Sequence, residues 1–180
     1  MKTRLYGVLL AGCVMATHAH DGPHTTSSAT SSAASSAKAA TVRVGQSWDF
    51  TLPSLDGSRF VRASEISGPV LVNFWGRDCP PCVAELPRLH AFAQANPRWT
   101  VLLVSTDSPA VAREFVQRHN LTLPVLRPGG NVTALMRSAG NRSSSLPFTV
   151  ALQNAHICES QTGTVEATDL ERMAQSCKQL

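Results

Sequence analysis

The chain alternates short apolar runs with amphipathic helical patterns from residue 48 onward. The run Val70–Trp75 is almost unbroken, which is typical of a strand covered on both faces, and Trp99–Val104 has the same character. The other runs alternate or are bounded by turn residues, which favours partly exposed strands and hairpins. The predicted strands are Trp48–Leu52, Arg59–Val61, Val70–Trp75, Trp99–Val104, Val125–Leu126, Phe148–Leu152 and Ala155–Glu159.

Helical patterns fill most of the intervals between these strands. In the first helix Pro87 is an expected kink. Ser108 is a good N-cap for the second helix, because Pro109 suits the first helical position. A capping box over Thr168–Glu171 predicts the start of the last helix. The predicted helices are Pro80–Ala95, Pro109 to about Asn120, Val132–Ala139 and a final segment from Thr168 to about Cys177.

This order of elements predicts the fold class. Strands and helices that alternate, followed by a hairpin and a final helix, favour an α/β sandwich with a central mixed sheet flanked by helices. The apolar strand Val70–Trp75 runs almost directly into Cys79-Pro80-Pro81-Cys82, which opens the first helix. A strand, a Cys-x-x-Cys turn and a helix in this order are typical of thioredoxin-like folds.

The N-terminal segment has the layout of an export signal, because basic residues precede an apolar run over Leu5–Ala16. Two cleavage sites are open. Cleavage before Cys13 would remove a lipoprotein signal, residues 1–12, and would leave Cys13 as a lipidation candidate. Cleavage after a small-x-small site would instead remove a secretory signal, residues 1–19.

Residues 20–41 are expected to be a disordered linker. From residue 25 onward this segment contains only Ser, Thr and Ala apart from Lys38, so it has almost nothing to bury. Such a segment suits a tether between a membrane anchor and a folded domain. The folded domain is therefore predicted to span residues 42–180.

Composition excludes several classes of protein. No stretch of about 18 uninterrupted apolar residues exists, which argues against a membrane span. The net charge is a mild +4 and the basic residues are scattered, so nucleic-acid binding is not expected. Of the five cysteines, Cys13 would either leave with the signal or carry lipid, so it would not be a free thiol in either cleaved form. The other four are an even set, which suits an oxidising compartment.

The Cys79-x-x-Cys82 pair could bind zinc or carry redox chemistry. Structural zinc needs four ligands, and no second close Cys or His pair is present, so neither a metal nor a cofactor is expected. Cys79 lies at a predicted helix N-terminus, where free N–H groups and the dipole stabilise a thiolate. We therefore expect Cys79 to attack a substrate disulfide and Cys82, one turn further, to resolve the mixed disulfide.

Residues 70–87 resemble the active-site segment of the TlpA/ResA-like thiol–disulfide oxidoreductases, which are exported members of the thioredoxin superfamily. The resemblance implies a thioredoxin-like fold with an N-terminal β-hairpin extension. It implies that Glu85 is an acid that assists proton transfer, although a solvated helix residue is the alternative. It also implies that Leu146 and Pro147 form a substrate-binding cis-proline loop. Trp75 is either a further substrate-binding residue or part of the core.

One position departs from the family. Asp78 precedes Cys79, where the family usually has Trp. A neighbouring carboxylate disfavours a thiolate, and Arg77 could offset this effect. The redox potential is the property that this change puts in question.

Cys158 and Cys177 have three possible roles. Export and an even cysteine count favour a structural disulfide between the hairpin and the last helix. Separate core thiols are the second possibility, because Cys177 lies on an apolar stripe. A second redox relay is the third.

The sequence therefore predicts an exported disulfide reductase at the extracytoplasmic face of a bacterial envelope. Its partners would be exported proteins with disulfides, such as apocytochrome c or copper-site proteins, and a membrane thiol-reducing electron donor. A peroxiredoxin-like peroxidase is an alternative, but Val72 and Gly76 occupy the positions where that class needs Pro and Thr or Ser. A copper chaperone is another, with His156 as a weak distal ligand.

Overall fold

The computed structural model describes residues 44–180. The predicted signal, its lipidation candidate Cys13 and the predicted linker lie outside the described residues. Within 44–180, no helix combines the length and the apolar character that a membrane span requires. The strands are β1 (Thr51–Pro53), β2 (Phe60–Arg62), β3 (Pro69–Trp75), β4 (Thr100–Ser105), β5 (Val125–Leu126), β6 (Phe148–Gln153) and β7 (His156–Thr162). The helices are α1 (Pro80–Ala95), α2 (Pro109–Arg118), α3 (Val132–Ser138) and α4 (Ala167–Cys177).

Five strands form a mixed central sheet in the order β5-β4-β3-β6-β7. The central strand β3 is parallel to β4 and antiparallel to β6. β1 and β2 form a separate antiparallel pair before the sheet. The predicted α/β class, with a thioredoxin-like mixed sheet, flanking helices and an N-terminal β-hairpin extension, is confirmed.

Alternate side chains of β3 enter two different apolar clusters, which explains why its sequence is apolar throughout. Leu71 and Trp75 belong to the cluster that α1, α2 and α4 cover. Val72 and Phe74 belong to the cluster on the other side, with α3 and the N-terminal segment. Since both faces of β3 are buried, its C-terminal end is a rigid base for the turn that follows.

Several predicted boundaries were wrong, among them the end of the last strand, which was expected at Glu159 and lies at Thr162. The first strand was expected over Trp48–Leu52, but its pairing with β2 begins only at Thr51. The alternation at Trp48 and Phe50 arises because both rings pack onto the sheet, with the Trp48 ring 6.4 Å from that of Phe74.

The capping box of the last helix also lies two residues earlier than predicted. The N-cap is Glu166 and the helix begins at Ala167. The Asp169 carboxylate accepts a hydrogen bond from the Glu166 N–H at 2.8 Å and one from the Gln161 side chain at 3.3 Å. These contacts hold Asp169 at the third helical position, so Thr168 lies inside the helix.

Candidate active site

Cys79 lies where the central strand β3 passes into α1. Its N–H donates to the Gly76 carbonyl at 3.2 Å, which closes the connecting turn. Cys79 is the N-cap of α1, with an extended backbone, and its Sγ accepts a hydrogen bond from the Cys82 N–H at 3.3 Å. The N–H groups of the first helical turn lack partners within the helix and carry the positive end of its dipole. A thiolate at Cys79 is therefore favoured over one on an unstructured chain.

Cys82 lies one turn further along α1. Its side chain is fully buried, whereas Cys79 is partly exposed. A disulfide joins the two sulfurs, so the structure represents the oxidised form. The difference in access supports the predicted roles, in which Cys79 meets the substrate and Cys82 resolves the mixed disulfide.

Two polar side chains from otherwise apolar strands meet behind the cysteines. Asn73 in β3 is directly opposite Thr149 in β6. The Asn73 Nδ2 donates to the Thr149 Oγ1 at 3.0 Å and to the Glu85 Oε1 at 2.7 Å. All three side chains are fully buried. Glu85 is therefore a constituent of the interior and not a solvated residue of α1.

The second carboxylate oxygen of Glu85 is also bonded, since its Oε2 accepts from the Val165 N–H at 2.9 Å. Burial raises the pKa of Glu85 above its usual value of 4.5, because desolvation penalises the charged form. The hydrogen bonds from Val165 and Asn73 and the charge of Arg88 act in the opposite direction and are outweighed. Glu85, one helical turn after Cys82, can therefore hold a proton at a higher pH than a surface glutamate.

The Leu146–Pro147 loop approaches the turn that carries Cys79. The peptide bond between these two residues is cis, and the Pro147 carbonyl accepts from the Gly163 N–H at 2.9 Å. A Cβ added to Gly76 would lie 3.7 Å from the Leu146 Cδ1 and only 2.9 Å from the Thr106 Oγ1. Glycine is thus required for the turn to fit between two neighbouring loops. Leu146 is partly exposed and packs, like Cys79, against the apolar cluster under α1.

The charged residues before Cys79 form a small network. The Arg77 guanidinium pairs with the Asp78 carboxylate at 3.3 Å, and both side chains are largely exposed. The Arg77 N–H donates to the Asp107 Oδ2 at 2.7 Å. Arg77 is therefore placed to offset part of the negative charge beside Cys79, as the sequence suggested.

Trp75 does not belong to a substrate surface. Its side chain is fully buried, and its ring centroid lies 4.9 Å from that of Phe115. A fully buried indole cannot contact an incoming peptide, so the expectation that Trp75 binds substrate is wrong. The ring instead packs in the apolar cluster that α1, α2 and α4 cover.

The second cysteine pair lies at the other end of the sheet. A disulfide joins Cys158 in β7 to Cys177 at the end of α4, and both side chains are buried. Cys158 lies at the register shift of β7, between Ile157, which is opposite Leu152, and Glu159, which is opposite Ala151. Leu152 is in turn opposite Val70 at the start of β3. Because Cys79 follows the end of this seven-residue strand, about 20 Å of sheet separates the two pairs. Direct exchange between them, as a second relay would need, is not possible at that distance.

Sequence reasoning missed the partners that hold Glu85. Thr149 carried a signal, because it is the one hydroxyl in an apolar run, just as Asn73 is the one amide in its own run. Val165 carried none, since its backbone N–H reaches Glu85 from a loop 80 residues later. The contact between Asp107 and the Arg77 backbone was likewise not predictable from spacing.

Known proteins are similar to this chain over much of its length. The model of the AhpC/TSA family matches residues 44–156. The thiol-disulfide oxidoreductase ResA of Geobacillus kaustophilus is 30% identical over 135 residues, which cover 72% of this chain and 75% of that protein. The soluble secreted antigen MPT53 of Mycobacterium tuberculosis is 36% identical over 84 residues, which cover 46% of this chain and 49% of that protein.

A solved structure agrees with these relatives. The exposed lipoprotein thioredoxin Etrx1 of Streptococcus pneumoniae superposes with a TM-score of 0.60 at 25% identity. The superposition covers 73% of this chain and 99% of that structure. The chain therefore belongs to the AhpC/TSA family of thioredoxin-like proteins, and it is a thiol–disulfide oxidoreductase of the ResA-like kind.

Proposed function

We propose that the chain is an exported disulfide reductase that acts on other extracytoplasmic proteins. The observation that carries this proposal is the pair of environments around Cys79 and Cys82. One sulfur is accessible at a helix N-terminus, the other is buried, and a buried acid lies one turn further. This combination suits an attack, a resolution and a proton transfer in sequence.

The reaction conserves atoms and electrons. The Cys79 thiolate attacks one sulfur of a substrate disulfide, which forms a mixed disulfide and releases the first substrate thiolate. The Cys82 sulfur then attacks the Cys79 sulfur, which releases the second substrate thiolate and leaves the Cys79–Cys82 disulfide. Glu85 takes the Cys82 proton in this second step, and a membrane electron donor returns two electrons to the protein.

The direction of the reaction depends on the redox potential of the Cys79–Cys82 couple. We infer this potential from the small number of backbone N–H groups that stabilise the Cys79 thiolate. Strong oxidants of this superfamily owe their potential to a stabilised reduced form. Here Pro80 and Pro81 supply no N–H, so within residues 44–180 the Cys79 sulfur accepts one backbone hydrogen bond, from Cys82. The exposed carboxylate of Asp78 next to it disfavours the thiolate further. Both features favour the reducing direction.

Export is supported by the predicted signal and by relatives that are named a secreted antigen and an exposed lipoprotein. Either an acylated Cys13 or a free mature chain would place the domain in the envelope. Exported proteins with disulfides, including apocytochrome c and copper-site proteins, are the proposed substrates.

The two alternative functions gain no support. Val72 is fully buried and Gly76 has no hydroxyl, so a peroxide site of the peroxiredoxin type is lacking at these positions. His156 pairs with Gln153 at the sheet end remote from Cys79, so it is not a copper ligand beside the cysteines.

Trapping of mixed disulfides tests the proposal directly. Cys82→Ser leaves Cys79 able to attack but unable to be resolved, so covalent adducts with exported proteins should accumulate in the native host. Cys79→Ser/Cys82→Ser is the matched control and should trap nothing. A folded Cys82→Ser protein that forms no adducts would contradict the proposed function.

A redox titration of the Cys79–Cys82 couple tests the direction. We expect a midpoint below about −200 mV, closer to thioredoxin than to the oxidant DsbA at about −120 mV. A midpoint near the DsbA value would make the protein an oxidant and would overturn the reductase assignment.

A further inference from the structure

The loop between β7 and α4, residues 163–166, is bound to α1 through both backbone groups of one residue. The Val165 N–H donates to the Glu85 Oε2 at 2.9 Å, and the Val165 carbonyl accepts from the Arg88 Nη1 at 2.7 Å. Glu85 and Arg88 are three residues apart, so they lie on the same face of α1. Arg88 therefore binds the same residue that holds the acid, although it takes no part in the exchange itself.

Arg88 binds the loop through a second nitrogen as well. Its Nη2 lies 3.1 Å from the Glu166 Oε2, and the two side chains are 32% and 61% exposed. Solvent screens an ion pair that is this exposed, so its attraction alone contributes little. The pair does fix the plane of the guanidinium, because two nitrogens of a rigid fork are bound at once. The Arg88 Nη1–H is thereby directed at the Val165 carbonyl.

Other contacts fix where the loop lies. The Gly163 N–H donates to the Pro147 carbonyl at 2.9 Å, and the Gln161 side chain donates to the Thr164 carbonyl at 2.9 Å. The Val165 side chain is fully buried in the apolar cluster under α1. The loop should therefore stay in place without the Arg88 guanidinium. The Val165 carbonyl would lose that partner, however, and the peptide planes on either side of Val165 would be free to rotate.

Three effects of Arg88 on the pKa of Glu85 have the same sign. Burial raises this pKa, whereas the Val165 hydrogen bond and the charge of Arg88 lower it, and the charge of Glu166 raises it. Loss of the guanidinium would remove its own charge, loosen the Val165 hydrogen bond and leave the Glu166 charge uncompensated. Each change raises the pKa of Glu85 further.

The other elements that pack around Glu85 contribute neutral groups. β3 contributes the Asn73 amide, which donates to the Glu85 Oε1, and β6 contributes the Thr149 hydroxyl behind it. On α1 the Cys82 thiol, one turn before Glu85, is the group whose proton the acid accepts in the proposed reaction. The positive charge that counteracts the burial of Glu85 therefore comes from Arg88.

We propose that Arg88 is a positioning residue for the acid: it orients the backbone of Val165 so that the Val165 N–H stabilises the Glu85 carboxylate. Glu85 can then accept the Cys82 proton at a lower pH than burial alone would permit. This inference rests on the proposed function, because Glu85 takes the Cys82 proton there. It identifies the residue that sets the pH range in which the mixed disulfide is resolved.

The reaction of the reduced protein with 5,5′-dithiobis(2-nitrobenzoic acid) separates the two steps. Cys79 attacks the reagent, which forms a mixed disulfide and releases the first thionitrobenzoate. Cys82 then attacks the Cys79 sulfur, which releases the second thionitrobenzoate and leaves the Cys79–Cys82 disulfide. The second release is intramolecular, so its rate constant does not depend on the reagent concentration. Stopped-flow absorbance over a range of pH gives both rate constants and the pH midpoint of each.

Arg88→Met removes the guanidinium and keeps an apolar stem. We expect the pH midpoint of the second release to rise by at least about half a unit, because Glu85 retains its proton to a higher pH. The first release should change less than about twofold, since Cys79 begins it. Arg88→Lys keeps the charge and one donor, so its midpoint should lie between the other two. An unchanged midpoint in Arg88→Met, or equal slowing of both releases, would overturn the proposal.

Two further variants are controls. Glu166→Gln removes a negative charge near Glu85 and leaves Arg88 on the Val165 carbonyl, so the midpoint of the second release should fall or stay the same. A rise as large as that of Arg88→Met would show that any change in the loop has this effect, and would contradict the proposal. Arg118→Met breaks an arginine–glutamate pair on α2 and should alter neither release.

Glu85→Gln distinguishes failure of this inference from failure of the proposed function. In the Glu85→Gln background, Arg88→Met should cause no further shift, because Arg88 acts through Glu85. If Glu85→Gln leaves the midpoint of the second release unchanged, the proton transfer in the proposed function fails, and the role of Arg88 fails with it. If Glu85→Gln changes the midpoint and Arg88→Met does not, only the role of Arg88 fails.

Discussion

Each of the two cysteine pairs of this domain forms a disulfide, but the two disulfides lie in different surroundings. Cys79–Cys82 starts a helix, has one accessible sulfur and is backed by a buried carboxyl group. Cys158–Cys177 joins a strand to the end of a helix, and its two side chains belong to the apolar core.

The difference shows that position in the fold decides what a disulfide does. A thiolate needs access and stabilisation to act as a nucleophile, and the N-terminus of α1 provides both for Cys79. Cys158 and Cys177 have neither. Their bond instead closes a loop between residues 19 apart in sequence, which restricts the unfolded chain. We therefore propose that the first pair carries the chemistry and that the second stabilises the fold.

The largest expected effect comes from removing the nucleophile. Cys79→Ala should lower the rate of reduction of a peptide disulfide by more than about 10³-fold, because no other sulfur can begin the exchange. The double variant Cys158→Ala/Cys177→Ala should keep the rate within about twofold. A folded double variant that loses activity to a similar degree would contradict the division of roles between the two pairs.

Removal of the second pair should affect the stability of the fold more than removal of the first, the reverse of the order expected for activity. Cys158→Ala/Cys177→Ala should lower the free energy of unfolding by about 3 kcal/mol, from the loop that the bond closes. Replacement of Cys79 and Cys82 by Ala should lower it less, since that bond closes a far shorter loop. Urea unfolding monitored by tryptophan fluorescence measures both. Equal losses would show that the second pair has no special structural role.

The acid behind the first pair should make stability depend on pH. Because the folded pKa of Glu85 is raised, the native state binds more protons than the unfolded chain between pH 4.5 and the raised value. The contribution of Glu85 is fully present below the unfolded pKa and is lost as pH rises through the folded pKa. In this window Glu85→Gln should remove a slope of up to about 1.4 kcal/mol per pH unit from the free energy of unfolding.

Glu159→Gln is the control for this substitution, because Glu159 lies beside Cys158 and pairs with Arg172. We expect Glu85→Gln to slow exchange by about 10² and to alter its pH profile, whereas Glu159→Gln should leave that profile unchanged. If the unfolding curves of Glu85→Gln and the unaltered protein show the same pH dependence, Glu85 is not the group that holds the proton.

The smallest expected effect concerns the charge before Cys79. Asp78→Asn removes a carboxylate that disfavours the thiolate, so alkylation of reduced Cys79 by iodoacetamide at pH 6 should accelerate about twofold to fivefold. Arg77→Ala removes the partner of Asp78 and should slow the same reaction. Glu171→Gln, an exposed change on α4, should have no effect. Acceleration by Arg77→Ala would contradict the electrostatic account.

Local patterns were enough for most of the fold. The runs at Val70–Trp75 and Phe148–Leu152 are apolar because both faces of the central strands are covered, so their positions were predictable within about one residue. The pattern misled where burial and pairing differ. Trp48 and Phe50 alternate as a strand does, yet they are buried by packing on the sheet.

The sequence alone determined that residues 79–82 form a redox motif at a helix N-terminus, because the motif, the strand before it and the helix after it are contiguous. The tertiary structure decided which of Cys79 and Cys82 is accessible and where the acid is held. Asn73, Thr149 and Val165 reach Glu85 from distant parts of the chain. Such contacts depend on sheet register and helix packing, and spacing along one sequence carries no information about either.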